Sequence, residues 1–126
     1  MLFSNEDLLR FLNEKNVWFS SVKNSSPHLV PLSFVYVDGY FYLCTPHSTQ
    51  KIKNLKANNR VALSLEDAIN VLICEGTATV LEPPFNEDVL AVFQSKYDWN
   101  IKRTPKYNRM IRVTPTKILK YHDARS

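Results

Sequence analysis

The chain has 126 residues, 44% of them hydrophobic, a formal net charge of +4 and two cysteines. That length fits a single domain with one real core and needs no second one, and the mild positive charge suits a phosphorylated ligand, nucleic acid or plain solubility alike. No basic-then-apolar leader and no apolar run long enough to cross a bilayer is seen, so a secreted or membrane-spanning protein is not expected.

In chain order, Ser4 caps a first helix with Leu8, Leu9, Phe11 and Leu12 on one face, and Glu6 and Asp7 follow the cap. "VWFSSV" (Val17 to Val22) is a short β-rich run, followed by the turn residues "KNSSP" and then by a strand from His28 to Val37. Asp38-Gly39 joins that strand to "YFYLCT" in a tight hairpin, because this dipeptide tolerates the positive φ angles such a turn requires. A second helix follows Ser48, and "RVALSLED" (Arg60 to Asp67) and "NVLICEGTATVLE" (Asn70 to Glu82) then form another hairpin, with Ala68-Ile69 in or near the connection. Asn86 caps a third helix carrying Val89, Leu90, Val92 and Phe93, again with acids, Glu87 and Asp88, in its first turn. The last strand is "RMIRVTPTKILKYH", Arg109 to His122. The sum is five or six strands and three helices.

The middle helix breaks the pattern of the other two. With Ser48 as N-cap its first turn begins at Thr49, and Ile52 and Leu55 lie one turn apart on its apolar side. A helix N-terminus carries partial positive charge, so acids gain about 0.3 to 1 kcal/mol there and lysines are disfavoured. Yet Lys51 occupies that turn, Lys53 follows, and no acid is near. An anionic partner is what this arrangement lacks.

In both long hairpins apolar residues occupy both side-chain parities: Leu32, Phe34 and Tyr36 against Val35 and Val37, and Val71 and Ile73 against Leu72 and Cys74. A sheet with two apolar faces must cover both, so a small barrel packed with helices and paired with a copy of itself is expected. Pro31 interrupts the second strand, which suits an edge or a bulge with free backbone groups. Cys44 and Cys74 sit inside apolar runs as reduced, buried thiols, which points to a cytoplasmic protein.

"PHLVPLSFVYVDGYFYLCTPHSTQKIKNLKANNRVALSLED", then "CEGTATVL" and "IRVTPTKI", resembles the FMN-binding split-barrel family related to pyridoxamine 5'-phosphate oxidase. The resemblance spans nearly the whole chain and is most specific at Thr45, Ser48, Lys51, Asn54-Leu55 and Asn59-Arg60-Val61. It implies a mainly β fold, a six-stranded split β-barrel with flanking helices forming a homodimer, with FMN bound between the chains. It implies that Lys51 binds the FMN phosphate at the helix start, with Ser48 adding a hydroxyl. Thr45 then matches a position near the flavin, and Val30, Pro31, Leu32 and Ser33, in the stretch to Phe34, match the backbone against the isoalloxazine ring.

Two departures qualify the match. Relatives often carry a second basic residue just before the lysine, where this chain has Thr49 and Gln50; Lys53 or an arginine such as Arg109 is left to substitute. The closing "KYHDARS" does not match the arginine-and-histidine segment of the vitamin B6 oxidase, so that activity is not expected. The expected function is an FMN-dependent oxidoreductase acting on an unidentified small molecule. The alternative is a non-catalytic module holding FMN, a deazaflavin or haem.

Trp99, in the polar stretch "YDWNIKRTPKYN", reads as exposed in the monomer, where it stacks on a partner's flavin or covers the dimer interface, or else as a plug closing its own barrel. His28 and His47 read as polar loop residues, with no structural metal expected. Glu66-Asp67 and Glu87-Asp88 read as turn and helix-start residues without an acid–base role, and Cys44 has no base partner to make it a nucleophile. Phe34, Tyr36, Tyr40 and Tyr42 are embedded in apolar runs rather than interleaved with basic residues, so no nucleic-acid partner is expected.

Overall fold

The computed structural model describes residues 2–46 and 48–122, so His47 and residues 123–126, the end of "KYHDARS", lie outside the described residues. The elements are α1 (Asn5–Leu12), β1 (Asn16–Lys23), β2 (Ser26–Ser33), β3 (Val35–Val37), β4 (Tyr40–Thr45), α2 (Gln50–Ala57), β5 (Arg60–Ser64), β6 (Asn70–Leu81), α3 (Glu87–Tyr97), a 3₁₀ turn at Ile101–Arg103, and β7 (Arg109–His122). Among the described residues the strands form one antiparallel seven-stranded sheet in the order β2-β1-β5-β6-β7-β4-β3. β2 and β3 stand at opposite ends of that order, yet only Phe34 separates them in the chain. The sheet must therefore curl until its two edges almost meet, giving a half-barrel.

The strand count corrects the expected six. The single strand read from His28 to Val37 is broken at Phe34: residues before it pair with β1 and residues after it with β4. The Phe34 amide leaves the ladder and donates instead to the Tyr97 hydroxyl at 2.9 Å. Local alternation runs straight through this point and carries no sign of the break.

The tight turns follow their residues. Asp38 and Gly39 take φ of 51° and 91°, and Asn24 and Ser25 take 47° and 69°, the paired left-handed angles of two-residue hairpins. Gly76 stands at a register shift between β6 and β7, where any Cβ would run into the Thr114 carbonyl. This close approach excludes a side chain.

The two-faced apolar pattern also holds. Phe34, Leu72 and Cys74, with Leu32 and Tyr36 packed against them, belong to the inner core, together with Phe11, Phe41, Leu43, Ile52 and Leu55. On the other face Val35 and Val37 meet α3 through Val89 and Phe93. Ser4 accepts from the Asp7 amide at 3.1 Å, and Asn86 accepts from the amides of Asp88 at 2.8 Å and Val89 at 3.3 Å, so both flanking helices are capped as read. No helix among the described residues is long and apolar enough to cross a membrane.

Candidate functional site

Of the three α-helix starts, α2 is the one without a side-chain cap among the described residues. Its N-cap is Thr49, not Ser48, and the helix begins at Gln50; Ser48 is exposed in the preceding turn. The Thr49 hydroxyl is taken up by the Pro46 carbonyl at 3.1 Å and lies 3.3 Å from the Thr45 hydroxyl, so among the described residues no side chain caps the first N–H groups. No acid occupies the first turn. Thr49 holds the cap position by its backbone conformation alone, its hydroxyl being bonded to Pro46 instead of to the helix.

Lys51 sits in this turn half-buried, and burial holds its pKa below the ordinary lysine value. It forms no ion pair among the described residues. A partly desolvated ammonium beside uncapped N–H groups is a ready place for an anion. The helix that carries it is held firmly: Ile52 and Leu55 are in the core, and buried Asn54 donates to Ser21 at 3.0 Å and accepts from Gln50 at 2.8 Å.

Of the two candidate second cations, Lys53 is exposed, whereas Arg109 starts β7 directly opposite Thr45, three-quarters buried and 3.3 Å from Glu82. Arg109 also lines a cleft of about 490 Å³ with Ile52 and Lys56 of α2. The structure therefore brings Arg109, rather than Lys53, to the Thr45 end of the sheet.

A second cleft, of about 380 Å³, gathers four of the expected site residues: Pro31, Leu32, Ser33 and Trp99, joined by Asn16, Cys44 and Tyr107. β2 is an edge strand, so half of its backbone groups point away from β1, and Pro31 is tolerated there because it has no N–H to lose. Val30 is not in the lining of this cleft and packs on the inner core, where Leu32 also makes contact. Of the two readings of Trp99, exposed ring or plug, the structure bears out the plug. Trp99 packs edge-on to Phe93 and Tyr107 and donates its indole N–H to Thr104 at 2.8 Å, plugging its own side of the fold while still lining the cleft.

Consecutive residues at the end of β4 belong to the two features. Cys44 lines the cleft, and the next residue, Thr45, is 1% exposed with its hydroxyl against Thr49 at the start of α2. Burial pushes the Cys44 thiol up to about 12, so it is no nucleophile near neutral pH. Asp67 accepts from the Ile69 and Asn70 amides, and Glu87 opens α3, which leaves both pairs of acids in their turn and helix-start roles. Asn16, Thr49 and Tyr107 were not singled out from the sequence. A cap-type residue beside Ser48 hinted at Thr49, but nothing local marks the other two.

The family model described as pyridoxamine 5'-phosphate oxidase matches residues 5–122. The chain belongs to that family. Its curled sheet is accordingly the family's split barrel. No curated protein matches the sequence. A putative pyridoxamine 5'-phosphate oxidase from Listeria innocua superposes with a TM-score of 0.76 at 16% identity, covering 94% of this chain and 98% of that one. HutZ, the haem storage protein from Vibrio cholerae, gives 0.78 at 16% identity over 92% and 93% of the two chains. A FAD-binding protein from Mesorhizobium loti gives 0.68 at 19% identity over 92% and 90%. At these identities the likeness is one of fold.

Proposed function

We propose that this family member is an FMN-dependent oxidoreductase acting on a small molecule, with the flavin held between two copies of the chain. The observation that carries the reading is Lys51: among the described residues it is a half-buried cation without an ion-pair partner, on a helix start with neither acid nor side-chain cap. The donor set fits a phosphate monoester, which is dianionic above about pH 6 and takes backbone N–H groups and an ammonium together.

In this reading Lys51 and the first N–H groups of α2 hold the phosphate, and the hydroxyls of Thr45 and Thr49 stand beside it. The backbone of Val30, Pro31, Leu32 and Ser33 flanks the ring, and Trp99 and Tyr107 keep water from the cleft. FMN when bound supplies hydride transfer at its N5 atom. The chain's own part is orientation and shielding, in keeping with a cleft whose one thiol stays protonated. A second copy is favoured by the outer face, where Trp18, Leu29 and Tyr121 are 41%, 59% and 59% exposed around one shared hollow.

The test is a titration of the purified protein with FMN, following the visible flavin band and tryptophan fluorescence, and then addition of NAD(P)H. Saturable binding at about one FMN per chain, followed by bleaching of the flavin band, is expected. A protein that ignores FMN sinks the proposal, and bound FMN that no reductant bleaches turns it into a cofactor carrier. The pH dependence has a definite sign. Lys51 loses its proton at lower pH than an ordinary lysine, so FMN affinity should fall as pH rises towards that depressed value, while riboflavin, which lacks the phosphate, should show no such fall.

A further inference from the structure

The break between β2 and β3 is held by an unusual set of polar groups. Phe34 is fully buried, so its backbone N–H and C=O both need partners once the sheet no longer supplies them. The N–H donates to the Tyr97 hydroxyl at 2.9 Å, and the C=O accepts from Lys96 Nζ at 2.9 Å. The same carbonyl is 2.9 Å from the Tyr97 hydroxyl, but that hydroxyl has one hydrogen and lies closer, at 2.6 Å, to the Lys15 carbonyl. The consistent assignment has Tyr97 donating to Lys15 and Lys96 donating to Phe34. Lys15 Nζ closes the circuit by donating to the Lys96 carbonyl at 2.9 Å, and the Lys96 ammonium sits 3.7 Å from the centroid of the Phe34 ring.

Three distant segments are tied together in this way, and each sends its neighbouring residues into the 380 Å³ cleft: Asn16 beside Lys15, Leu32 and Ser33 before Phe34, and Trp99 after Tyr97. Ser33 adds a bond of its own to Asn16, hydroxyl to carboxamide oxygen, at 3.3 Å. An unbroken strand would satisfy Phe34 within the sheet at no such expense. The arrangement used instead half-buries a lysine whose proton affinity burial lowers, to a pKa of about 8, and a tyrosine whose pKa burial raises. A locally costly substitute for a simple ladder, placed at the margin of a cleft, is where a functional constraint is expected.

We infer that Tyr97, with Lys96 beside it, is a positioning residue for the cofactor: it fixes the Phe34 corner and, through it, the Leu32–Ser33 backbone that lines the cleft. This rests on the flavin reading above and assigns the ring, not the phosphate, to this corner. Tyr97 touches no cofactor itself.

Tyr97→Phe keeps the ring in place and removes the acceptor for Phe34 and the donor for Lys15. Binding of FMN and of riboflavin should weaken by the same factor, on the order of tenfold, with a shifted visible band for the flavin that remains bound. Lys51→Gln should weaken FMN alone. Asn86→Ala, at the far end of the same helix, lowers the melting temperature through its lost cap and should leave riboflavin affinity unchanged, so instability by itself does not reproduce the expected result. Lys96→Met is the second variant, should Tyr97→Phe not fold, and is expected to give a smaller parallel loss for both flavins. Wild-type affinity and an unshifted band in the folded variant overturn the role of the corner and leave the flavin reading standing. A wild-type chain that binds neither flavin overturns both.

Discussion

At the start of α3, Asn86 accepts from two backbone N–H groups and Glu87 and Asp88 fill the first turn; at the start of α2, Thr49 spends its hydroxyl on Pro46, the turn holds no acid, and a half-buried lysine stands where a carboxylate would be favoured. Both helices bury an apolar side and dock on the same sheet, so packing does not separate them. The difference lies in who neutralises the helix end. α3, like α1, has its first N–H groups met by its own side-chain cap and acids, whereas the start of α2 shows no side-chain cap and Lys51 no ion pair among the described residues. That is the contrast the proposed phosphate site rests on.

The largest expected effect comes from reversing the charge that sets α2 apart. Lys51→Glu should weaken FMN binding by on the order of tenfold or more, since a charge-assisted hydrogen bond gives way to repulsion. Equilibrium titration checks this, with Lys102→Glu as comparison: that change breaks only the exposed 2.8 Å pair between Lys102 and Glu87 and should leave FMN affinity alone. Unchanged affinity in a folded Lys51→Glu protein would show that the phosphate lies elsewhere.

Removing the cap that completes α3 should give the opposite profile. Asn86→Ala is expected to cost about 1 kcal/mol of stability, measured by denaturant unfolding, with no change in FMN binding. The smallest effect is expected from giving α2 the acid that its neighbours have. Thr49→Asp should raise the stability of the cofactor-free protein by about 0.5 kcal/mol and weaken FMN by a few-fold, because the new carboxylate competes for the same N–H groups and the same lysine. If both quantities rose together, the contrast between the two helix starts would lose its functional meaning.

Much of this contrast can be read without a structure. Ser4, Asn86 and the acids after them mark two helix starts correctly, and Lys51 stands out against them. Asp38-Gly39 places a hairpin, and the doubled apolar parity around Phe34 announces two covered faces. One reading fails and one open choice is decided, both by groups that local sequence does not show. Ser48 is the better cap by type, yet the structure puts the cap position at Thr49, whose hydroxyl is bonded to Pro46. For Trp99 the sequence leaves an exposed ring and a plug both open, and Phe93, Thr104 and Tyr107 coming round it make it the plug.

Caps, acids at helix starts, turn dipeptides and apolar alternation act over a few residues, so the existence of three helices, the tight turns, the long final strand and the unusual lysine are legible without a structure. The break at Phe34 is different, because it is made by a hydroxyl 63 residues further along the chain, on another element. So is the cleft, whose walls come from β1, β2, β4 and the segment after α3. Such features depend on which distant groups the curled sheet brings within hydrogen-bonding reach, and only the tertiary structure decides that.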